Sequence, residues 1–178
     1  MQGKYSRIVI VGYMFTGKTS IARRTAKKLG MRFFDVDTEV ETKYHYSVYD
    51  IFKKFGENVF RKMERQMLEQ LLQTDNAIIA TGGGTPCFED NMQLIKQKSF
   101  SIYIDMDPKQ IISRQKTSKV KRPLLDGMTQ EEKERFMLAQ IEQRKPFYMQ
   151  ADAVLPHGDD ISERIVQLIE QENKSGVK

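Results

Sequence analysis

Short apolar runs alternate along the chain with longer stretches in which apolar positions return every three or four residues. Arg7–Val11 carries consecutive β-branched residues, as in a buried strand, and Lys18–Leu29 has helical periodicity closed by Gly30. The same reading makes 32–34 a short strand, 50–55 and 57–73 helices broken at Gly56, and Ala77–Ala80 a strand. Helix 57–73 aligns Val59, Phe60, Met63, Met67 and Leu71 as an apolar stripe expected to pack in the core. Beyond it, 90–97 reads as a helix, 99–104 as a strand, 108–114 as a helix opened by Pro108, and 129–145 as a helix. A last strand at 153–155 and a helix at 161–169 with a polar tail complete the order. Strands that alternate with helices predict the α/β class, a parallel sheet with helices on both faces. Residues 115–127 are polar and basic without periodicity, and so long a connection is expected to be a mobile, functional lid.

Composition narrows the class further. A chain of 178 residues fits one domain, 1–178, able to bury a core without disulfides. No apolar run approaches the ~20 residues that span a bilayer, so no membrane partner is expected. The start, Met1 to Ser6, leads into only a short apolar run without a signal-peptide pattern, and the single cysteine, Cys87, cannot form an intrachain disulfide. A cytoplasmic protein is the expectation, and a monomer. Cys87 beside Pro86 reads as a small buried residue. The net charge of +5 suits anionic partners. Most basic residues alternate with acids, and neither an aromatic–basic RNA-binding pattern nor zinc-finger spacing is present, so no nucleic acid is expected.

Gly12, Gly17, Lys18 and Thr19 fall at the fixed positions of G-x-x-x-x-G-K-[ST], between a strand and a helix. Glycines let successive backbone N–H groups curl around phosphates, and the helix that follows aims its positive end at them. Lys18 is placed to reach the β- and γ-phosphates of ATP and Thr19 to ligate Mg²⁺, with Ser20 next in the first turn. Nucleotide binding follows from this motif in this context.

Three further groupings bear on the acceptor. Asp35 and Asp37 lie just past the second strand, where open α/β sheets bind ligands, and in extended chain alternate residues share a face. They suit magnesium through water and proton abstraction, although such an acid is also a common helix N-cap. Phe60, Arg61 and Glu64 spell F-R-x-x-E, in which the acid is close enough on one helical face to orient the guanidinium. Pairs at that spacing often merely decorate a surface. Gly82, Gly83 and Gly84 follow a buried strand, as a tight turn or as a place where backbone meets a ligand closely.

Together with Arg122-Pro-Leu-Leu, and with Arg144 ahead of Phe147 and Tyr148, these features resemble the shikimate kinase family from Ile8 to about Leu155. The resemblance implies a fold of the nucleoside monophosphate kinase type and transfer from MgATP to the 3-hydroxyl of shikimate, in the pathway to aromatic amino acids. It implies an acceptor-binding region within 36–73, Asp35 supporting magnesium, and Asp37 contacting the reacting hydroxyl as base. It further implies that Arg61, Arg144 and Gly82, Gly83 and Gly84 hold the substrate, that Arg122 closes over the phosphates, and that Arg114 lies near the adenine. The chain departs from the family pattern at Phe15 and Thr16, where small residues are usual. His45 and His157 match no catalytic role and read as surface or loop histidines. Gluconate kinase shares a phosphate loop and a small acceptor but is not expected to combine these motifs, and a nucleoside monophosphate kinase would read a base in its acceptor pocket. A regulatory ATP-binding protein would keep Lys18 and Thr19 but need neither Asp37 nor Arg122.

Overall fold

The structure, a computed structural model, describes residues 6–120 and 122–175. Most of the N-terminal run from Met1, Lys121 of the expected lid and the last residues of the polar tail lie outside the described residues. Strands β1 (Arg7–Val11), β2 (Arg32–Asp35), β3 (Ala77–Ala80), β4 (Phe100–Asp105) and β5 (Ala153–Pro156) form one sheet in the order β2-β3-β1-β4-β5. Every pairing is parallel. Their connections run through α1 (Lys18–Leu29), α2 (Val36–Tyr44), α3 (Val48–Phe55), α4 (Glu57–Leu71), α5 (Asn91–Lys98), α6 (Pro108–Thr117) and α7 (Gln130–Tyr148). The last helix, α8 (Ile161–Ser175), follows β5.

Strand alternation divides the core in two. Ile8 and Ile10 of β1 pack with Ile78, Ile102, Ile104 and with Ile21, Ala22, Ile165 and Ile169 of α1 and α8. Val9 and Val11 face the other way, into a cluster with Ile79, Val36, Val40, Leu68, Ile95 and Met137. With both faces covered, β1 and β3 are buried nearly throughout, which is why they read as unbroken apolar runs. The central strand β1 delivers its carboxyl end into the phosphate loop. The ends of β2 and β3 open onto the same edge, where a doubly covered parallel sheet binds ligands.

The α/β class and the element order stand, and the differences have local causes. Helix α2 is absent from the sequence expectation, because it is short, polar and rich in Thr and Glu, with only Val36 and Val40 buried. Asp37 therefore sits in the first turn of a helix, not in extended chain, and Asp35 takes the N-cap, accepting from the Thr38 N–H at 3.3 Å. Helix α6 continues to Thr117, so the lid begins three residues later than expected, and a 3₁₀ turn at Pro123–Leu125 gives it local order. Helix α7, opened by a capping box between Thr129 and Glu132, runs through Pro146 to Tyr148. Without an N–H, Pro146 removes one i→i−4 bond near the end of the helix. Helix α8 persists through Ser175, past the expected 169.

The expected stripe of α4 is also corrected. Its buried face is Phe60, Met67, Leu68 and Leu71 with Arg61 and Glu64 among them, whereas Val59 is 37% exposed. Leu68→Ala is expected to cost about 2–5 kcal/mol in urea unfolding, as for a fully buried leucine. Val59→Ala should stay within about 0.5 kcal/mol. Equal costs at the two positions would contradict this facing of α4.

Candidate active site

The phosphate loop leaves β1 at Gly12, whose φ of +148° and approach to the Ile104 carbonyl leave little room for a side chain. Gly17, left-handed at φ +81°, is the N-cap of α1. Lys18 is buried and donates from Nζ to the Tyr13 carbonyl at 2.7 Å. Burial and the nearby Arg122 bring its ammonium down to about 8, against the opposing pull of Asp37 and Asp35. The Thr19 hydroxyl donates to Asp35 Oδ2 at 2.6 Å. These hard oxygens, set beside Lys18 on the wall of one cleft, fit a magnesium ion that keeps several waters and takes its other ligands from phosphates. Asp35 thus serves both as N-cap and as a member of the cleft, and neither of the two readings of that acid excludes the other.

On the far side of Asp37 lies a second cavity, lined by Arg61, Arg144, Glu64, Gly84, Phe52 and Pro123 among others. Arg61 Nη1 donates to Glu64 at 2.8 Å, while its Nε and Nη2 donate to Glu57 at 3.2 and 3.0 Å. A guanidinium has five N–H groups, so two remain for a ligand. Glu64 has no exposed surface and is met from its other side by the Thr85 hydroxyl. The pair is therefore no surface decoration. Arg144, on α7, lies with its guanidinium over the Tyr13 ring at 5.8 Å, and Tyr148 one turn on donates to the Gly83 carbonyl at 2.5 Å. Arg144 and Arg61, the two arginines that the resemblance implies for the substrate, line the same cavity.

The triple glycine is dictated by what it faces. A Cβ at Gly82 would lie 2.5 Å from Glu64 Oε1 and 2.8 Å from Asp37 Oδ1, one at Gly83 would lie 3.0 Å from the Met14 N, and one at Gly84 would strike the Arg61 guanidinium. The turn is the shared wall of both cavities.

Asp37, Arg122, Met14, Gly82 and Gly83 line the two cavities at once. Arg122 Nη1 is 3.7 Å from Asp37 Oδ2. Asp37 Oδ1 and Arg122 Nε are both buried without a hydrogen-bond partner, two polar atoms at one junction left for something else to satisfy. Burial, reinforced by Glu64 and Asp35, lifts the Asp37 carboxyl to about 7, although Arg122 and Lys18 pull the other way.

A profile of the shikimate kinase family matches residues 14–173. The chain belongs to the shikimate kinase family. It is 37% identical over 148 residues to a shikimate kinase of Bacteroides fragilis, covering 83% of each chain. The crystal structure of the shikimate kinase of Bacteroides thetaiotaomicron superposes with a TM-score of 0.86 at 34% identity, covering 92% of this chain and 98% of that one. The Acinetobacter baumannii enzyme, solved in complex with shikimate, gives the same TM-score at 31% identity over 99% of this chain and 97% of its own. The chain is therefore an enzyme of the shikimate kinase family, and a kinase family takes ATP and typically a divalent metal.

Several participants escaped the sequence. Glu57 was legible as an i,i+4 partner of Arg61, but Thr85 meets Glu64 only through the fold. His157, a loop histidine as expected, lies 3.3 Å from Arg114 Nη2 and borders a cavity with Ser20, Arg24, Gly158 and Asp159. Arg114 also donates to the Phe15 carbonyl at 3.4 Å, which fixes its place beside the phosphate loop. Cys87 is half-buried, and burial pushes its thiol up to about 11, so it is no nucleophile.

Gly84 has φ −92° and ψ −15°, which any residue adopts, so Gly84→Ala should fold. Its methyl would displace the Arg61 guanidinium, and the acceptor KM is expected to rise about tenfold or more with little change in ATP KM. A changed ATP KM with an unchanged acceptor KM would reverse the assignment of the two cavities.

Proposed function

We propose that the protein transfers the γ-phosphoryl of ATP to the 3-hydroxyl of shikimate, as a monomeric, single-domain, cytoplasmic enzyme of aromatic amino acid biosynthesis that uses Mg²⁺. The observation that carries this reading is Asp37, its unpartnered Oδ1 set at the junction of a phosphate-binding cleft and a cavity flanked by two arginines.

Arg61 and Arg144 supply positive charge for the shikimate carboxylate, and the two free N–H groups of Arg61 form a planar pair suited to it. Glu57 and Glu64 hold that guanidinium so that little ordering remains when substrate arrives. The Gly82, Gly83 and Gly84 backbone forms the floor on which the ring rests. Asp37 then accepts the proton of the attacking hydroxyl, for which a pKa about 7 is well matched. Lys18 and Arg122 stabilise the charge that spreads over the transferring phosphoryl, and Gly12, Gly17 and Ser20 line the phosphates, with Arg114 at the nucleotide's outer end. Thr19 and Asp35 would hold the magnesium, which would supply positive charge against that of the phosphates. Residues 118–129 carry Arg122 and exclude water when closed.

A coupled ADP-release assay across shikimate, gluconate and nucleoside monophosphates tests the acceptor. Stimulation by a nucleotide or gluconate and not by shikimate would overturn the proposal. Lys18→Met should abolish transfer without unfolding the protein, and Asp35→Asn should chiefly raise the magnesium requirement.

The pH dependence has two limbs of opposite origin. Asp37 must be deprotonated and its carboxyl sits at about 7, so kcat/KM for ATP should fall tenfold per unit below that. Lys18 must be protonated and its ammonium sits at about 8, so the same parameter should fall above it. Bound phosphates favour the ammonium, so in kcat at saturating ATP the alkaline limb should move upward while the acid limb remains. An acid limb that persists in residual Asp37→Asn activity would assign the base elsewhere.

Arg61→Lys keeps the charge but loses the planar pair, and hydrogen bonds to charged groups are worth about 1.5–3 kcal/mol. A ten- to hundredfold fall in kcat/KM for shikimate is therefore expected, mostly in KM, at about 1.4 kcal/mol per tenfold. The methyl ester should be a poor substrate that loses much less on this substitution. Equal penalties on acid and ester would show that Arg61 does not read the carboxylate.

A further inference from the structure

Phe15 stands where the phosphate loop is expected to carry a small residue, and its backbone is left-handed at φ +66°, a conformation that a bulky side chain disfavours. Strain of this kind persists only where surrounding contacts hold it. Phe15 has contacts at both ends of the residue. Its carbonyl accepts from Arg114 Nη1 at 3.4 Å, at the end of α6 from which the lid departs. Its ring lies under the guanidinium of Arg122, 5.7 Å from centroid to carbon, within the range of a cation–π contact. The ring is only partly buried and packs against the core cluster, so it is fixed from beneath. Among the described residues, Arg122 has one further ionic neighbour, Asp37 at 3.7 Å, and its Nε has no partner.

We propose that Phe15 is a positioning residue that holds Arg114 of α6 by its carbonyl and Arg122 of the lid by its ring, beside and over the nucleotide cleft, before nucleotide arrives. This rests on the kinase reading given above. A glycine would spare the left-handed strain but leave Arg122 to be ordered by ATP itself. The ring therefore lowers the cost of closing the lid, which belongs to ATP binding and not to the chemical step.

The test uses the full chain with Phe15→Leu, which keeps bulk and left-handed strain but removes the ring, and Phe15→Tyr, which keeps the ring. Phe15→Gly adopts the backbone without strain and guards against a folding defect in the leucine variant. Tryptic cleavage after Lys119, an exposed site in the lid, is followed in the free protein. Leucine and glycine variants should be cut about two- to fivefold faster than the parent, the factor expected from losing one partly exposed cation–π contact. Their ATP KM should rise by a similar factor with kcat within about twofold, and tyrosine should restore both. Parental cleavage rates in the leucine and glycine variants would overturn the proposal, as would a tyrosine variant that behaves like leucine. Because cleavage needs neither acceptor nor turnover, it separates failure of this contact from failure of the kinase reading.

Discussion

A carboxylate with no access to water organises the acceptor half of the site. Glu64 carries a charge that burial would make prohibitive were it not met by Arg61 on one side and Thr85 on the other. Removing one partner of such a pair typically costs about 3–5 kcal/mol, so Arg61 is fixed by the same interaction that keeps α4 folded against the glycine turn. Gly82 leaves the space that Glu64 and Asp37 occupy, and Gly84 the space that Arg61 occupies. Glu64 also raises the Asp37 carboxyl, so the acid that holds Arg61 also acts on the acid at the junction of the two cavities.

The nucleotide half is built on a different principle. Its positive charge comes from the buried Lys18 and from Arg122, and Lys18 is held by the Tyr13 carbonyl and not by an acid. A carboxylate partner there would compete with phosphate for the ammonium, whereas a carbonyl yields to it. Asp35 is kept to one side by Thr19 and by its capping bond to Thr38, leaving Asp37 as the acid open to both cavities. The lid is tied to each half: Arg122 lies over Phe15, and Asp126 pairs with Lys53 at 2.9 Å and accepts from Tyr49 on α3. A segment so attached links the state of one cavity to that of the other.

Much of this was legible because the signals are local. A strand buried on both faces, a loop of fixed glycine spacing and a helix with a left-handed cap leave marks within a dozen residues, and β1, α1 and β3 were placed to the residue. Arg61 with Glu64 was legible as a pair, but its burial was not, since a 3-residue spacing looks the same on a surface as in a core. Helix α2 was hidden because its polar sequence owes its helicity to Asp35 at the N-cap and to Val36 and Val40 against the core. Thr85 on Glu64, Tyr148 on Gly83 and Phe15 under Arg122 join segments far apart in the chain, and no periodicity announces such contacts.

Asp37 shows what the arrangement costs the fold. Its carboxyl stands at about 7 in the folded chain against an ordinary value near 3.8, so the folded state holds a proton that the unfolded state releases between those values. Stability is accordingly lost as pH rises through that window, and at pH 8 the folded protein carries an ionised acid short of one hydrogen-bond partner. About a quarter of the side chain stays open to the cavity, which softens the penalty. A sequence selected only for stability would place an amide or an apolar residue there. An acid kept in surroundings that oppose its charge fits a group proposed to take a proton near neutrality, and Arg122 and Lys18 offset part of the cost.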